Sequence, residues 1–310
     1  MEERMLELDV RRRKIVGNII KRIRIRLRND LEDLSKKIYV KIIKILPNKQ
    51  GIRENGEDKV IVSLTSYPAR FDTIHLCIKS LMYQTIKPDK IILWLGSDSA
   101  EVKLPLELEE LKKCGLEVVY KDENLKPHKK YYYAIQDYPN SIVITVDDDV
   151  IYSPTMLASL LKMHEKYPKA VCARRVHEIV CNQQIIAKYN SWNQACQTVL
   201  RPAMRLMAVG VGGVLYPPNA LDKLAFDKEL IKNVCLNADD LWLKFMEAPQ
   251  DTKVVWCPCL WGHPANILEN QSGLCDSNIG DNRNDEYLEQ LSKHFPEVIA
   301  KIEKEKELER

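Results

Sequence analysis

No run of eighteen apolar residues occurs anywhere in the 310 residues, so no segment predicts a membrane-crossing helix. The first residues lack the compact apolar stretch and small-residue cleavage site of a secretory signal, which predicts an intracellular chain. Ordered cysteine spacing is missing too. Nine cysteines are scattered from Cys77 to Cys275, and Cys257-Pro258-Cys259 is their only close pair. Without a second pair there is no zinc set, and an odd number of scattered thiols predicts reduced, buried side chains. No internal repeat is visible. A nucleotide-cradling glycine fingerprint is also absent. Gly210-Val211-Gly212-Gly213 runs into Val214-Leu215-Tyr216-Pro217 rather than opening a helix, which excludes the dinucleotide reading.

What is present is ordinary in bulk and uneven in distribution. Hydrophobic residues make up 45% and charged residues 29%, the balance of a globular protein. The net charge of +3 hides an asymmetry: residues 1–50 carry 15 Lys+Arg against 7 Asp+Glu, and the remainder carries 32 against 37. A uniform nucleic-acid surface is therefore not expected. Residues 10–46 read as one amphipathic helix, with Ile15, Ile19, Ile23, Leu27, Leu31, Leu34, Ile38, Ile42 and Ile45 at steps of three or four. Arginines and lysines fill much of the rest, and no aromatic residue interleaves them before Tyr39, which speaks against nucleic acid. The stripe suits the interface of an anionic membrane, or else a coiled-coil seam or packing on the body. Pro47, Gly51 and Gly56 punctuate a linker. The organisation expected is a basic helix and linker over 1–50, one half over 51–170 and a second over 171–310.

From Lys59 onward strands and helices alternate. Val60–Leu64, Lys90–Leu95, Leu116–Tyr120 and Ile142–Val146 read as strands, with helices at about 71–85, 105–113 and 128–138. Short loops between them predict an α/β fold with a mostly parallel sheet. Beyond residue 170 a mixed half is appended, closed by a charged helix over 284–310. The run at Ile142 ends on Asp147-Asp148-Asp149, and ligands of such sheets bind beyond the carboxyl ends of the strands. Adjacent carboxylates repel, so their clustering suits a hard cation, Mg²⁺ or Mn²⁺, and through it phosphate.

Val60-Ile-Val-Ser-Leu-Thr-Ser-Tyr-Pro, Ser80-Leu-Met-Tyr-Gln84-Thr and the Asp147–Asp149 strand end together resemble a glycosyltransferase of the GT-A fold, family-2-like and of the bacterial surface-polysaccharide type. The resemblance covers residues 59 to about 290. It implies that Thr65, Ser66, Tyr67 and Arg70 cradle the nucleotide, that Lys130 approaches the donor, and that Asp149 and Asp147 bind metal while Asp147 and Asp148 also reach ribose or sugar. Asp98 stands displaced from the acid that reads the base in such enzymes. A downstream histidine, His263 in Trp261-Gly262-His263-Pro264, is the expected further ligand. Asp240 is the expected general base with Asp239 alongside; a cap on the following helix would alone explain Asp239. Arg283, in Asn282-Arg283-Asn284-Asp285, would close over the diphosphate on a loop.

The function so implied is metal-dependent transfer of a hexosyl or N-acetylhexosaminyl group from a nucleotide donor, UDP-linked, to a glycan or lipid-linked glycan, with inversion favoured over retention. The place implied is the cytoplasmic face of a membrane. Two alternatives are a sugar-phosphate nucleotidyltransferase, whose basic glycine-rich signature is missing after the first strand, and a non-catalytic membrane-tethered glycan-binding protein, against which two intact acid pairs weigh.

Overall fold

The computed structural model describes residues 2–54, 59–183, 185–259, 261, 263–267 and 283–308, and for 2–22 the helical backbone alone. Gly56, Gly262, Cys275 and Asn282 lie outside these residues. The chain divides into two units, Met1–Leu46 and Pro47–Arg310. The first is a single helix, α1 (Glu2–Ile45). It begins eight residues before the start expected at residue 10, over Glu-Glu-Arg-Met-Leu-Glu-Leu, a run of residues with high helix propensity.

The second unit is built on a seven-stranded sheet. Its strands are β1 (Val60–Thr65), β2 (Lys90–Leu95), β3 (Leu116–Tyr120), β4 (Ile142–Thr145), β6 (Val171–Ala173), β11 (Val214–Tyr216) and β12 (Val254–Trp256), in the order β12-β6-β11-β4-β1-β2-β3. All pairings are parallel except those of β11, which runs antiparallel to both β4 and β6. The two halves expected at 51–170 and 171–310 both contribute strands to this sheet. β1 is buried along nearly its whole length, as its uninterrupted apolar run requires of a strand covered on both faces. Helix α4 (Lys129–Asp137) packs on β1, β2 and β4, and α5 (Met156–Lys166) packs on β6 and β11. The fold is α/β, a mostly parallel sheet with an appended mixed half.

One reversed strand decides the site. Because β11 runs opposite to β4, with Val214 beside Thr145, the segment leading into it lies at the carboxyl edge of β4. Gly213, at φ +87°, makes the turn into β11 in a backbone region that other residues avoid. Shorter antiparallel pairs join β7 (Val176–Glu178) to β10 (Leu206–Ala208) and β8 (Cys181–Asn182) to β9 (Ile185–Ile186), and another joins β5 (Val150–Ile151) to β13 (Ala265–Asn266). It holds the segment after β12 against the acid turn.

Two elements differ from the sequence expectation. The C-terminal helix is two helices, α8 (Arg283–His294) and α9 (Pro296–Leu308), because proline disfavours helical backbone in the residue before it and suits the first turn of a new helix. Arg283 and Asp285 therefore stand in the first turn of α8, not in the loop expected to close over a diphosphate. Asp285 is tied down, since its Oδ1 accepts from the Tyr189 N–H at 2.7 Å. Among the described residues six of the eight cysteines are buried.

Candidate active site

The acid turn is held from beneath by the motif at Ser80–Gln84. The Asp147 N–H donates to the Tyr152 hydroxyl at 2.8 Å, and the Tyr152 N–H donates to Ser80 Oγ at 3.0 Å. Gln84 Nε2 donates to Ser153 O at 2.7 Å, and its Oε1 accepts from Leu157 N at 3.0 Å. Helix α2 (Phe71–Met82) and the residues just after it thus clamp the backbone on the far side of the three acids. The clamp fixes a turn that three adjacent carboxylates would otherwise splay. Tyr152 was not among the residues picked out from sequence; the only signal was its place just after the acids.

The three acids face different partners. Asp148 is buried, where Ser66 Oγ donates to Oδ2 and Arg70 Nη1 to Oδ1. Burial pushes its carboxyl up to about 6 despite both donors. Arg70 Nη1 also lies 3.1 Å from Asp149 Oδ2. The Asp149 side chain is 33% exposed, and burial followed by the neighbouring Asp147 raises its pKa. Asp147 is 29% exposed and pairs with Lys130, whose Nζ donates to its Oδ1 at 2.7 Å.

Lys130 joins the two acidic motifs. Its Nζ also lies 3.0 Å from Asp239 Oδ2, at an angle that makes an ion pair and not a hydrogen bond. Burial alone would lower its pKa, but Asp147, Asp239 and Asp240 outweigh burial and hold it well above the usual value. Asp239 and Asp240 open helix α7 (Asp239–Glu247), which is capped by Ala238 without a side-chain bond. Asp239 is therefore not the cap; its carboxylate goes to Lys130. Asp240 is half-buried and accepts from the Gly210 N–H on both oxygens, at 3.1 and 3.0 Å. Burial, then Asp239, push it up to about 8. A methyl group at Gly210 would sit 3.0 Å from both Asp240 Oδ1 and Lys130 Nζ. A larger residue there would press both groups back by a few tenths of an ångström. Gly210 was not among the residues that sequence pointed to as a contact in the site.

The other expected residues are placed as follows. Thr65 Oγ1 is engaged by the backbone, donating to Trp94 O at 2.8 Å. Tyr67 is 43% exposed, its ring 5.4 Å from the Arg70 guanidinium carbon, so an aromatic face stands beside the acid turn. Asp98 accepts from Asn124 Nδ2 at 2.6 Å, and Asn124 Oδ1 accepts from Lys129 Nζ at 3.0 Å. The β5–β13 pair, extended by the Ile267 N–H donating to Asp149 O at 3.1 Å, carries the His263 segment onto the acid strand. His263 Nδ1 donates to Pro264 O at 2.7 Å.

Five carboxylates, Asp147, Asp148, Asp149, Asp239 and Asp240, meet two paired cations, Lys130 and Arg70. The excess negative charge and the partly exposed oxygens of Asp147 and Asp149 fit a hard divalent cation. Among the described residues no three His, Cys, Asp or Glu side chains already converge on one point. Two carboxylates can suffice for Mg²⁺ or Mn²⁺, which take their remaining ligands from phosphate and water.

The paired acids lie beyond the carboxyl ends of parallel strands, where ligands of open α/β sheets bind. Residues 61–211 match the profile of Glycosyl transferase family 2, just under half of the chain, and over that segment the protein is family-2-like. No curated protein matches significantly. Two solved structures show a distant likeness. The mannosyltransferase PcManGT from Pyrobaculum calidifontis, in complex with GDP-Man and Mn²⁺, is 14% identical with a TM-score of 0.43, over 76% of this chain and 65% of that one. GalNAc-T7 with UDP, GalNAc and Mn²⁺ is 10% identical with a TM-score of 0.45, over 66% of this chain and 43% of that one. The chain thus spans less than two thirds of the length of either.

Proposed function

We propose that this protein is a metal-dependent glycosyltransferase. It moves a hexosyl or N-acetylhexosaminyl group from a UDP-linked donor to a hydroxyl of a glycan or lipid-linked glycan in surface polysaccharide synthesis. The observation that carries this reading is Lys130, which joins the acid turn at Asp147 to the helix acids at Asp239. A donor held over the first pair is thereby set beside Asp240, where an acceptor hydroxyl can lose its proton.

Asp149 and Asp147 would hold Mn²⁺ or Mg²⁺, His263 would become a third ligand only on moving onto them, and the ion would supply Lewis-acid neutralisation of the diphosphate leaving group. Tyr67 offers its ring face to the base. Arg70 holds Asp148 in place and presents charge to the phosphates. Asp240, positioned by Gly210, accepts the proton of the attacking hydroxyl, which favours inversion. Burial and Asp239 raise its pKa to about 8 and so favour the protonated acid, whereas positive charge entering the cleft would lower it and favour the proton-accepting form.

A panel of nucleotide sugars incubated with the protein and Mn²⁺ tests the reading. Release of nucleoside diphosphate from one donor, lost in EDTA, is the expected result. No hydrolysis or transfer with any donor, or undiminished turnover in EDTA, rejects it.

A further inference from the structure

Helix α1 presents an uncovered apolar stripe. Ile23, Leu27, Leu31, Leu34, Ile38, Ile42 and Ile45 are exposed, from 37% at Ile42 to 82% at Ile45. At about 100° per residue these seven fall within roughly a quarter to a third of the helix circumference. On the same geometry Arg26, Lys37, Lys41 and Lys44 border one side of the stripe, and Arg24 and Arg28 border the other. Asp30 is the one acid on either border. Glu32 and Asp33 lie further round the helix, and both pair with Lys36.

We propose that α1 is an interfacial helix that lies on an anionic lipid surface, the stripe sunk among the acyl chains and the bordering cations on the headgroups. Two observations choose this occupant. Cations line both borders, so a second copy of the helix would set like charges against each other at the very positions where coiled-coil partners need opposite ones. Those same cations complement an anionic surface, and their long stems allow the charge to rise to the headgroups while the helix sinks. Among the described residues no helix is long and apolar enough to cross a membrane, so the contact is peripheral. The inference does not depend on the sugar-transfer reading. It concerns the other unit of the chain.

The test is sedimentation of the full chain with phosphatidylcholine vesicles and with vesicles also containing phosphatidylglycerol. Binding to the anionic vesicles alone, weakened by high salt, is expected. Arg24→Gln, Arg26→Gln and Arg28→Gln together should weaken partitioning about a hundredfold at low salt, at roughly fivefold per cation. Leu27→Gln, Leu31→Gln and Leu34→Gln together should abolish it, while circular dichroism shows the helix retained, since glutamine is a good helix former. Full-length protein that stays in the supernatant with anionic vesicles at low salt overturns the proposal. So does a dimer in sedimentation velocity that the stripe variant converts to monomer without any vesicle binding.

Discussion

The two acidic motifs hold the same residue type in different surroundings. At the acid turn, Asp147 and Asp149 are partly exposed and each sits against a cation, Lys130 or Arg70. At the start of α7, Asp240 is half-buried and accepts from the Gly210 N–H on both oxygens. Burial and an acidic neighbour raise Asp149 as they raise Asp240, so titration does not separate them. The side-chain cation and open face at Asp149 suit a cation ligand, and the backbone donor at Asp240 suits a group that moves a proton. Lys130 makes the division sharp by standing between the motifs and pairing with Asp147 and Asp239, one from each.

The comparison breaks most completely at the acid turn. Asp149→Ala should lower transfer by roughly 10³-fold or more, as befits several kcal/mol of lost leaving-group stabilisation. Mn²⁺ affinity measured by calorimetry should fall in parallel. Retention of tight Mn²⁺ binding would remove Asp149 from the ligand set.

At the helix the effect should be smaller and of another kind. Asp240→Asn keeps the shape and removes the basic oxygen, so kcat should drop about 10²–10⁴-fold with donor affinity little changed. Unchanged kcat with a raised acceptor KM would make Asp240 a binding residue and set aside the inverting mechanism.

Acid should loosen the α7 side. His128, fully buried, bonds through Nε2 to Cys235 O at 2.8 Å and through Nδ1 to the Tyr131 hydroxyl at 3.1 Å. Burial lowers its pKa from 6.5 to about 4, outweighing Asp239, which acts to raise it. A histidine kept neutral on folding contributes stability that is full above the unfolded pKa. That stability is lost as pH falls from about 6.5 through about 4, on the order of 3 kcal/mol for this group. Urea unfolding of the wild type and of His128→Gln across that window measures it. Equal pH slopes for the two would show that His128 is not the group responsible.

The finest test is Gly210→Ala. The added carbon, 3.0 Å from Lys130 Nζ and Asp240 Oδ1, should push the two motifs apart. An overpacking cost of about 1–3 kcal/mol corresponds to a loss of roughly ten- to hundredfold in kcat if it falls on the site. Full activity in this variant would mean that Asp240 needs no placement by Gly210.

Much of the first half was legible locally. The β1 run and the run ending at Asp147 are short-range patterns, in which β-forming residues stop at a polar turn, and the sheet followed from their alternation with helices. The break between α8 and α9 was equally local, written in Pro296, yet an unbroken charged pattern masked it. The Ser80–Gln84 motif was visible as a string, but its work lies in bonds to Tyr152, Ser153 and Leu157, some seventy positions away.

Sequence alone determined four of the seven strands of the sheet, that carboxylates would end the fourth, and that an apolar stripe with basic borders would precede them. Each depends on neighbours within a turn or a pleat, where covalent geometry fixes what shares a face. Tertiary structure decided that Lys130 stands between Asp147 and Asp239, that Asp239 is not a cap, and that Gly210 holds Asp240. Those assignments depend on the direction of one strand. β11 lies antiparallel between β4 and β6, and no local pattern in Val214-Leu215-Tyr216 encodes which way it runs. Its direction is set by packing across the whole sheet.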